Sequence, residues 1–520
     1  MGYAHDYASA IMHRGRIPME PVDFVPDWSD RPRKAKFYPE AETLPLPEPV
    51  RAVDPARAAD GFSLPLLSGM LQDSYGLSGR RLGVQANTDL AALPHYTQAN
   101  WSRGTSSGGG LYPVGVYWAA GPGGPLTPGV YHYAPHQHGL RRLLTGDVTG
   151  DVREALGGGP EGASQYLVLS VKYWQNAFKY NSFSFHAVSM DIGTVLQTWR
   201  LWAREHGLRI APALWFDEER LARLLGVAPE EEGVFAVVPL EWEGGAPSGG
   251  DEGATVPAER PRVRHRDAER SREVIAFETL RRIHGATLGH AADRPAPGAL
   301  DAAAAYPPRG TDPVALPAPA AAGLPVADAL RARRSSFGRF DATRPLPAEG
   351  LAAALADCAA TVVGSEAEGP DGPRLTSLYV FVNHVEGIAP GSYAYDPRAH
   401  ALRLVVPGAP GPFLQSNYFL SNYNLEQAGA VLVPTVRTTA VLDAVGDRGY
   451  RLVGAAVGAV AQTFYTTASA QGLGAGVALG FDNIAYREQL GLTETDEAPL
   501  LIMLLGHERP QPADFRHEIA

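Results

Sequence analysis

Two long apolar runs dominate the hydrophobic pattern, Ala187–His206 and Leu452–Gln471. The second carries Val453, Ala455, Val457, Val460 and Phe464 and is apolar almost all round. A helix without a polar face has to be buried on most sides. Each run stops at a Gly-Leu pair, Gly207-Leu208 and Gly472-Leu473, and glycine is the common residue at a helix end. Alternating aromatic and β-branched residues predict strands over Leu111–Trp118 and Leu378–Val382, and again over Gly233–Leu240 and Ala498–Leu505.

These patterns repeat. Pro128-Gly-Val-Tyr-His-Tyr133 returns as Pro390-Gly-Ser-Tyr-Ala-Tyr395, 262 residues later. Asp191-Ile-Gly193 and Ala456-Val-Gly458 are 265 apart, as are Leu224-Leu225-Gly226-Val227 and Gln489-Leu490-Gly491-Leu492. Matches at nearly constant spacing predict two copies of one α+β domain, residues 50–243 and 325–520. Each copy reads as a helix, a strand pair with a turn, the long helix, a strand, a short helix and a final strand. The two long helices are expected to pair, making an intrachain pseudo-dimer. Residues 1–49 are proline-rich and expected to wrap a surface as an extended arm. Residues 244–324 read as an Ala/Pro/Gly-rich linker with one helical island, Ala268–Ile283.

Composition narrows the chemistry. A formal net charge of −11 with no basic stripe speaks against nucleic acid and against an anionic membrane surface. One cysteine excludes a disulfide framework, a cysteine-rich zinc site and a cysteine-ligated iron–sulfur cluster. That residue, Cys358, lies in the helical run Gly350–Ala360 and is expected to be a core thiol. No apolar leader opens the chain and no 18-residue apolar run occurs, so a soluble cytoplasmic protein is expected.

Two loops carry chemistry. The first, Arg103-Gly-Thr-Ser-Ser-Gly-Gly-Gly-Leu-Tyr-Pro113, joins a guanidinium, hydroxyls and glycines ahead of a strand. Glycines let backbone N–H groups crowd against an anion or a ring edge. Such a loop suits something flat, polar or charged. The second, Arg331-Ala-Arg-Arg-Ser-Ser-Phe-Gly-Arg-Phe340, offers arginine forks and serines beside a helix end. That set suits a phosphate; the alternative is a solvated basic helix face.

Together the loops resemble a family. Arg333-Arg-Ser-Ser with Arg339-Phe340 is similar to the opening of the nitroreductase-like flavoproteins. The Ser-Gly-Gly-x-Leu-Tyr-Pro text at 107–113 resembles the SagB/McbC-type dehydrogenases within that superfamily, as do Val25–Pro32 and Lys36-Phe-Tyr38. The resemblance implies a fold that dimerises around its long helices with FMN at the interface. One subunit then supplies the arginine–serine grip, here Arg333, Arg334, Ser335 and Arg339. The other supplies the serine loop, here Ser106, Ser107, Gly108 and Gly109 with Arg103 as helper. Gly472, Leu473 and Gly474 resemble the family's glycine loop near the flavin ring. The first copy lacks the arginine–serine opening. The second has Glu368–Arg374 in place of the serine loop. One complete FMN site between the copies and one degenerate site are therefore expected.

The family also carries a Lys-Tyr pair about twelve residues before an Asp-x-Gly. Lys179-Tyr180 stands at that distance from Asp191, whereas Lys172-Tyr173 does not. Tyrosine is a poor base at neutral pH unless a neighbouring cation stabilises its phenolate. Which of Lys179 and Tyr180 takes a proton stays open, and an exposed lysine beside a core tyrosine is the plainer alternative. His186 is a further candidate; a lone histidine is more often structural. Phe183 and Phe185-His186 stand where the family usually has Arg and Tyr-Arg, which the second copy keeps as Arg448-Gly-Tyr450-Arg451. Asn417, Asn422 and Asn424 line a substrate channel or form turns.

The resemblance implies an FMN-dependent azoline dehydrogenase, oxidising thiazolines or oxazolines of a ribosomal precursor peptide to azoles, as in thiopeptide antibiotic biosynthesis. Its flavin would be reoxidised by oxygen. Its partners would be that peptide and a cyclodehydratase complex, and pairing of whole chains stays open. The alternatives are an NAD(P)H-dependent nitro- or quinone-reductase and a flavin-free scaffold for peptide maturation.

Overall fold

The computed structural model describes residues 2–49, 60–82, 99–158, 163–244, 260–368, 372–510 and 516–518. The boundary expected at residue 50, part of the linker (245–259) and the middle of the Glu368–Arg374 segment (369–371) lie outside the described residues.

Two antiparallel sheets flank a pair of long helices. The first sheet runs in the order Thr43–Pro45, Gly139–Thr145, Gly129–Ala134, Val114–Ala120, Gln165–Lys172 and Glu232–Leu240. The second places Thr311–Ala315, Ala401–Pro407, Gly391–Asp396, Thr376–Val382, Ala430–Arg437, Ile502–Gly506 and Gly474–Ala478 side by side. From the outer hairpin strand through to the closing strand the two orders match, so the repeat read from sequence is a repeat of topology. Tyr117 faces Val168 in the first sheet and Tyr379 faces Val433 in the second, at the equivalent rung.

Residue periodicity did not reveal the hairpin strands Gly139–Thr145 and Ala401–Pro407, nor the two strands that precede the long helices, Gln165–Lys172 and Ala430–Arg437. The latter two are buried along nearly their whole length. A strand covered on both faces shows a continuous apolar run instead of alternation, which periodicity cannot separate from a helix. The strand expected after the long helix exists only in the second copy, as Gly474–Ala478.

The long helices span Ser184–Glu205 and Gly449–Ala470. They cross at glycines. A Cβ on Gly193 would stand 2.0 Å from the Ala455 carbonyl oxygen, and one on Gly458 would stand 2.0 Å from that of Met190. Met190 and Ala455 are 265 residues apart, and so are Gly193 and Gly458. Each helix thus offers the same surface to the other, as in a two-fold interface between identical subunits. One core runs through the crossing, joining Trp199 and Trp202 of the first helix to Val457 and Phe464 of the second. Cys358 is fully buried in the helix Ala348–Ala359.

Two sequence expectations need correction. The N-terminal arm opens with a helix, Tyr3–His13, and later adds the edge strand Thr43–Pro45. That helix buries Ala4, Tyr7 and Ile11. The linker helix spans Glu278–Gly289, not Ala268–Ile283. Residues 271–273 are held out of the helix because Glu269 accepts from Ser271 N while Asp30 accepts from Arg272 N and Glu273 N.

Candidate active site between the two copies

The serine loop leaves the strand Ala99–Ser102 and turns through Gly109 and Gly110, both at positive φ (63° and 64°). Two side chains from the long helices hold it. Asp191 of the first accepts from Ser107 Oγ at 2.7 Å and from Gly108 N at 2.8 Å. Gln462 of the second accepts from Ser106 N and Ser106 Oγ, both at 2.9 Å. Thr105 Oγ1 donates to Thr198 Oγ1 at 3.0 Å. Burial pushes the Asp191 carboxyl up to about 7, against the lowering effect of its Ser107 and Gly108 donors.

The arginine–serine segment meets this loop from the other copy. Arg333 Nε donates to Gly104 O at 2.8 Å and Arg333 Nη2 to Arg103 O at 3.0 Å. Its guanidinium lies 4.9 Å from the Tyr465 ring centre. Ser335 Oγ and Tyr465 Oη are 2.7 Å apart, and Val477 N donates to the same Tyr465 oxygen. Arg334 and Arg339 both reach Glu508, at 2.7 and 3.4 Å. Arg509 caps the turn through Gly338 O. Arg334 and Arg339 therefore share the Glu508 carboxylate, with Arg509 at the same turn.

The structure thus brings Ser106, Ser107, Gly108 and Gly109 together with Arg333, Arg334, Ser335 and Arg339. It gives Arg333 a different task from the one expected, because two of its three nitrogens clamp the loop backbone. Arg103 is buried, its guanidinium 4.2 Å from the Tyr112 ring centre and 4.7 Å from that of Tyr75. Of the glycine loop, Gly474 reaches the arginine cluster: a Cβ there would meet Glu508 Cγ at 2.5 Å and Ser336 Oγ at 2.9 Å. Gly472 (φ 68°) ends the long helix, and Leu473 N donates to Ala468 O while its side chain packs towards Gly350. Those two residues serve the helix end.

Lys179 and Tyr180 close the other side. A Cβ on Gly109 would stand 2.5 Å from Tyr180 Oη and 3.0 Å from Lys179 Nζ, so only glycine fits the loop beside them. The ammonium lies 5.0 Å from the Tyr180 ring centre. Burial pushes the lysine down. Burial, then the Asp191 charge, pushes the tyrosine up. The phenolate expected from a neighbouring ammonium is thus disfavoured, and the lysine is the group whose proton is loosened. His186 is buried, bonded to Tyr450 Oη at 2.8 Å, and pushed down to about 3 chiefly by burial; it is a neutral core residue.

Gln462, Tyr465, Glu508 and Arg509 had escaped sequence reading. Gln462 had one signal: it lies 265 residues after Gln197, on the same face of the partner helix.

The pseudo-symmetric position is closed. Thr361 Oγ1 bonds Thr463 Oγ1 just as Thr105 bonds Thr198. This sets Thr361-Val-Val-Gly364 opposite Thr105-Ser-Ser-Gly108, so valines replace the two serines. The counterpart of the serine loop is therefore this segment rather than Glu368–Arg374. Glu368 folds back onto it, accepting from Val363 N, Gly364 N and Ser365 N. A carboxylate of the chain fills the nest of N–H groups that an external anion would use. Arg448 and Arg451 are also committed: both pair with the buried Glu218, at 2.8 and 3.0 Å.

Residues 330–507 match the family model described as the nitroreductase family. That segment is similar to a nitroreductase-family domain. A 139-residue stretch is 33% identical to a protein of Methanocaldococcus jannaschii provisionally named nitroreductase MJ1384. The match covers 25% of this chain and 64% of that relative. A crystal structure from Anabaena variabilis, of a protein provisionally named a nitroreductase, superposes at a TM-score of 0.74 with 22% identity. It covers 98% of this chain and 100% of its own. The fold is therefore that of the nitroreductases, present in two tandem copies. No described helix is long and apolar enough to cross a membrane. No cluster of His, Cys, Asp or Glu suited to a metal ion occurs among the described residues.

Proposed function

We propose that the chain is an FMN-dependent dehydrogenase that oxidises thiazolines or oxazolines of a precursor peptide to thiazoles or oxazoles. The observation that carries this reading is the single assembled site. The serine loop, the arginine–serine segment and the Lys179-Tyr180 pair converge there, whereas Glu368 blocks its symmetric counterpart.

The residues present fit the cofactor. Arg334 and Arg339 at Glu508, with Arg509 at the same turn, suit the phosphate. Ser335 and Ser106 offer hydroxyls, and the side-chain-free edge at Gly108 and Gly109 suits a flat ring. When bound, FMN supplies the two-electron acceptor and is returned to its oxidised form by dioxygen.

Aromatising an azoline removes a proton and a hydride from adjacent ring carbons. Lys179, whose charged form is penalised by burial, takes the proton at Nζ. Tyr180 stays a protonated phenol and donates from Oη, orienting the ring. Asp191 holds Ser107 and Gly108 in place at the floor of the site.

Mass spectrometry of an azoline-bearing peptide after incubation tests this reading. Each ring oxidised lowers the mass by about 2 Da (two hydrogens). Unchanged mass with a flavin-loaded protein refutes it. A second reading, an NAD(P)H-dependent nitro- or quinone-reductase, is favoured by the match of residues 330–507. Rapid anaerobic bleaching of the flavin by NADPH would select it.

A further inference from the structure

The mouth of the site carries charge that the fold leaves unbalanced. The chain is acidic overall, with a net charge of −11. Yet Arg31, Lys34, Arg103 and Lys179 gather on one side of the serine loop, and none of them ion-pairs with a described residue. Neighbouring lysines behave differently: Lys36 pairs with Glu232, and Lys172 pairs with Asp267 and Glu269.

Geometry links the four cations. Arg103 Nη2 donates to Lys34 O at 3.4 Å, which ties the arm to the loop. Arg103 Nη1 is buried and has no hydrogen-bond partner, and a buried donor without a partner is costly. Lys179 Nζ faces Gly109 on the same loop. The Lys34 ammonium is disfavoured first by burial, then by the charges of Arg103, Arg31 and Lys179. The nearby carboxyl, Asp191, is turned towards Ser107 and Gly108 and held near neutrality. The phosphate-binding arginines Arg334 and Arg339 belong to the other copy and pair with Glu508.

We infer that Arg31, Lys34 and the free nitrogen of Arg103 form a subsite for a carboxylate that the substrate carries close to its reacting ring. Exposed Arg31 and partly covered Lys34 draw the anion in, and buried Arg103 receives it. The rings of Tyr112, Tyr180 and Phe183 flank the same mouth, so the preferred ligand is a flat azole or azoline bearing an acid. This rests on the azoline reading of the site and adds its charge class.

Calorimetric titration with thiazole-4-carboxylate and with thiazole-4-carboxamide tests it on the full-length protein, with no turnover needed. The carboxylate should bind at least tenfold tighter, and its affinity should fall when salt is raised from about 0.05 to about 0.5 M. Lys34→Gln and Arg31→Gln should each erase most of that preference while flavin absorbance and circular dichroism stay unchanged. A second pair, thiazole-4-carbonyl amides of aspartate and asparagine, tells a carboxylate on the ring from one on the following residue. Equal binding within both pairs, binding by none of the probes, or a preference that survives both substitutions overturns the subsite. A carboxylate preference in a protein that oxidises no azoline leaves the subsite standing and removes the dehydrogenase reading instead.

Discussion

Gly193 packs so tightly on Ala455 that a Cβ at Gly193 would stand 2.0 Å from the Ala455 carbonyl oxygen. The symmetric contact, Gly458 on Met190, is equally close. The crossing fixes the distance between the copies and hence the gap between the serine loop and the arginine–serine segment. Gly458→Ala should cost about 3 kcal/mol or more, since backbone rather than a side chain must move. Gly285→Ala, in a helix with open space around that position, should be neutral or stabilising by about 0.5–1 kcal/mol. Denaturant titration of both variants checks the contrast.

Asp191 predicts a pH signature. Its folded-state pKa, pushed up to about 7 from the ordinary 3.8, favours folding in acid. That contribution is complete below about pH 4 and is lost as pH rises through 7, a change on the order of 4 kcal/mol. Asp191→Asn keeps an acceptor for Ser107 and Gly108 but cannot ionise. In the cofactor-free protein it should raise Tm at pH 8 and change it little at pH 5. Equal shifts at both pH values would contradict the assignment.

Glu218 behaves oppositely. Burial raises its pKa, but Arg451 and Arg448 outweigh burial and hold it down to about 2. Its stabilisation is present above the unfolded value near 4.5 and is lost as pH falls through about 2. Glu218→Gln leaves two buried guanidinium groups without a charge partner and should cost about 3–5 kcal/mol at pH 7, read by chemical denaturation.

Arg333 and Arg334 should support flavin binding by different routes. Arg334→Ala removes one arginine from the cluster proposed to hold the phosphate. Arg333→Ala instead frees the serine loop at Arg103 and Gly104. Both should weaken FMN retention at least tenfold by equilibrium dialysis. Arg333→Lys should not restore it, because a single ammonium cannot reproduce a fork spanning two carbonyls.

Lys179→Ala and Tyr180→Phe should keep flavin and lose azoline oxidation, with the larger loss at Lys179. Full activity in the Lys179 variant would remove it as the base. Mass spectrometry and flavin absorbance on the same samples give both readouts.

Much of the architecture was legible in residue order. The constant offset of about 265, kept by Asp191-x-Gly193 and Ala456-x-Gly458, announced two copies, and the apolar long helices were expected to pair. The strands Gln165–Lys172 and Ala430–Arg437 were not legible, because full burial erases the period-two pattern. Nor was the counterpart of the serine loop. Its two serines are replaced by Val362 and Val363, and the Thr361–Thr463 hydrogen bond that identifies it joins residues 102 apart.

Residue order settles which residue types stand in the two loops and that the long helices must be buried. Those properties follow from composition and local period. Tertiary structure alone decided what each side chain does. Arg333 became a clamp instead of a phosphate ligand because two backbone carbonyls lie within its fork. Burial, invisible in one dimension, raised Tyr180 and lowered Lys179. Glu368 closed the second site because the chain folded its carboxylate onto three backbone N–H groups.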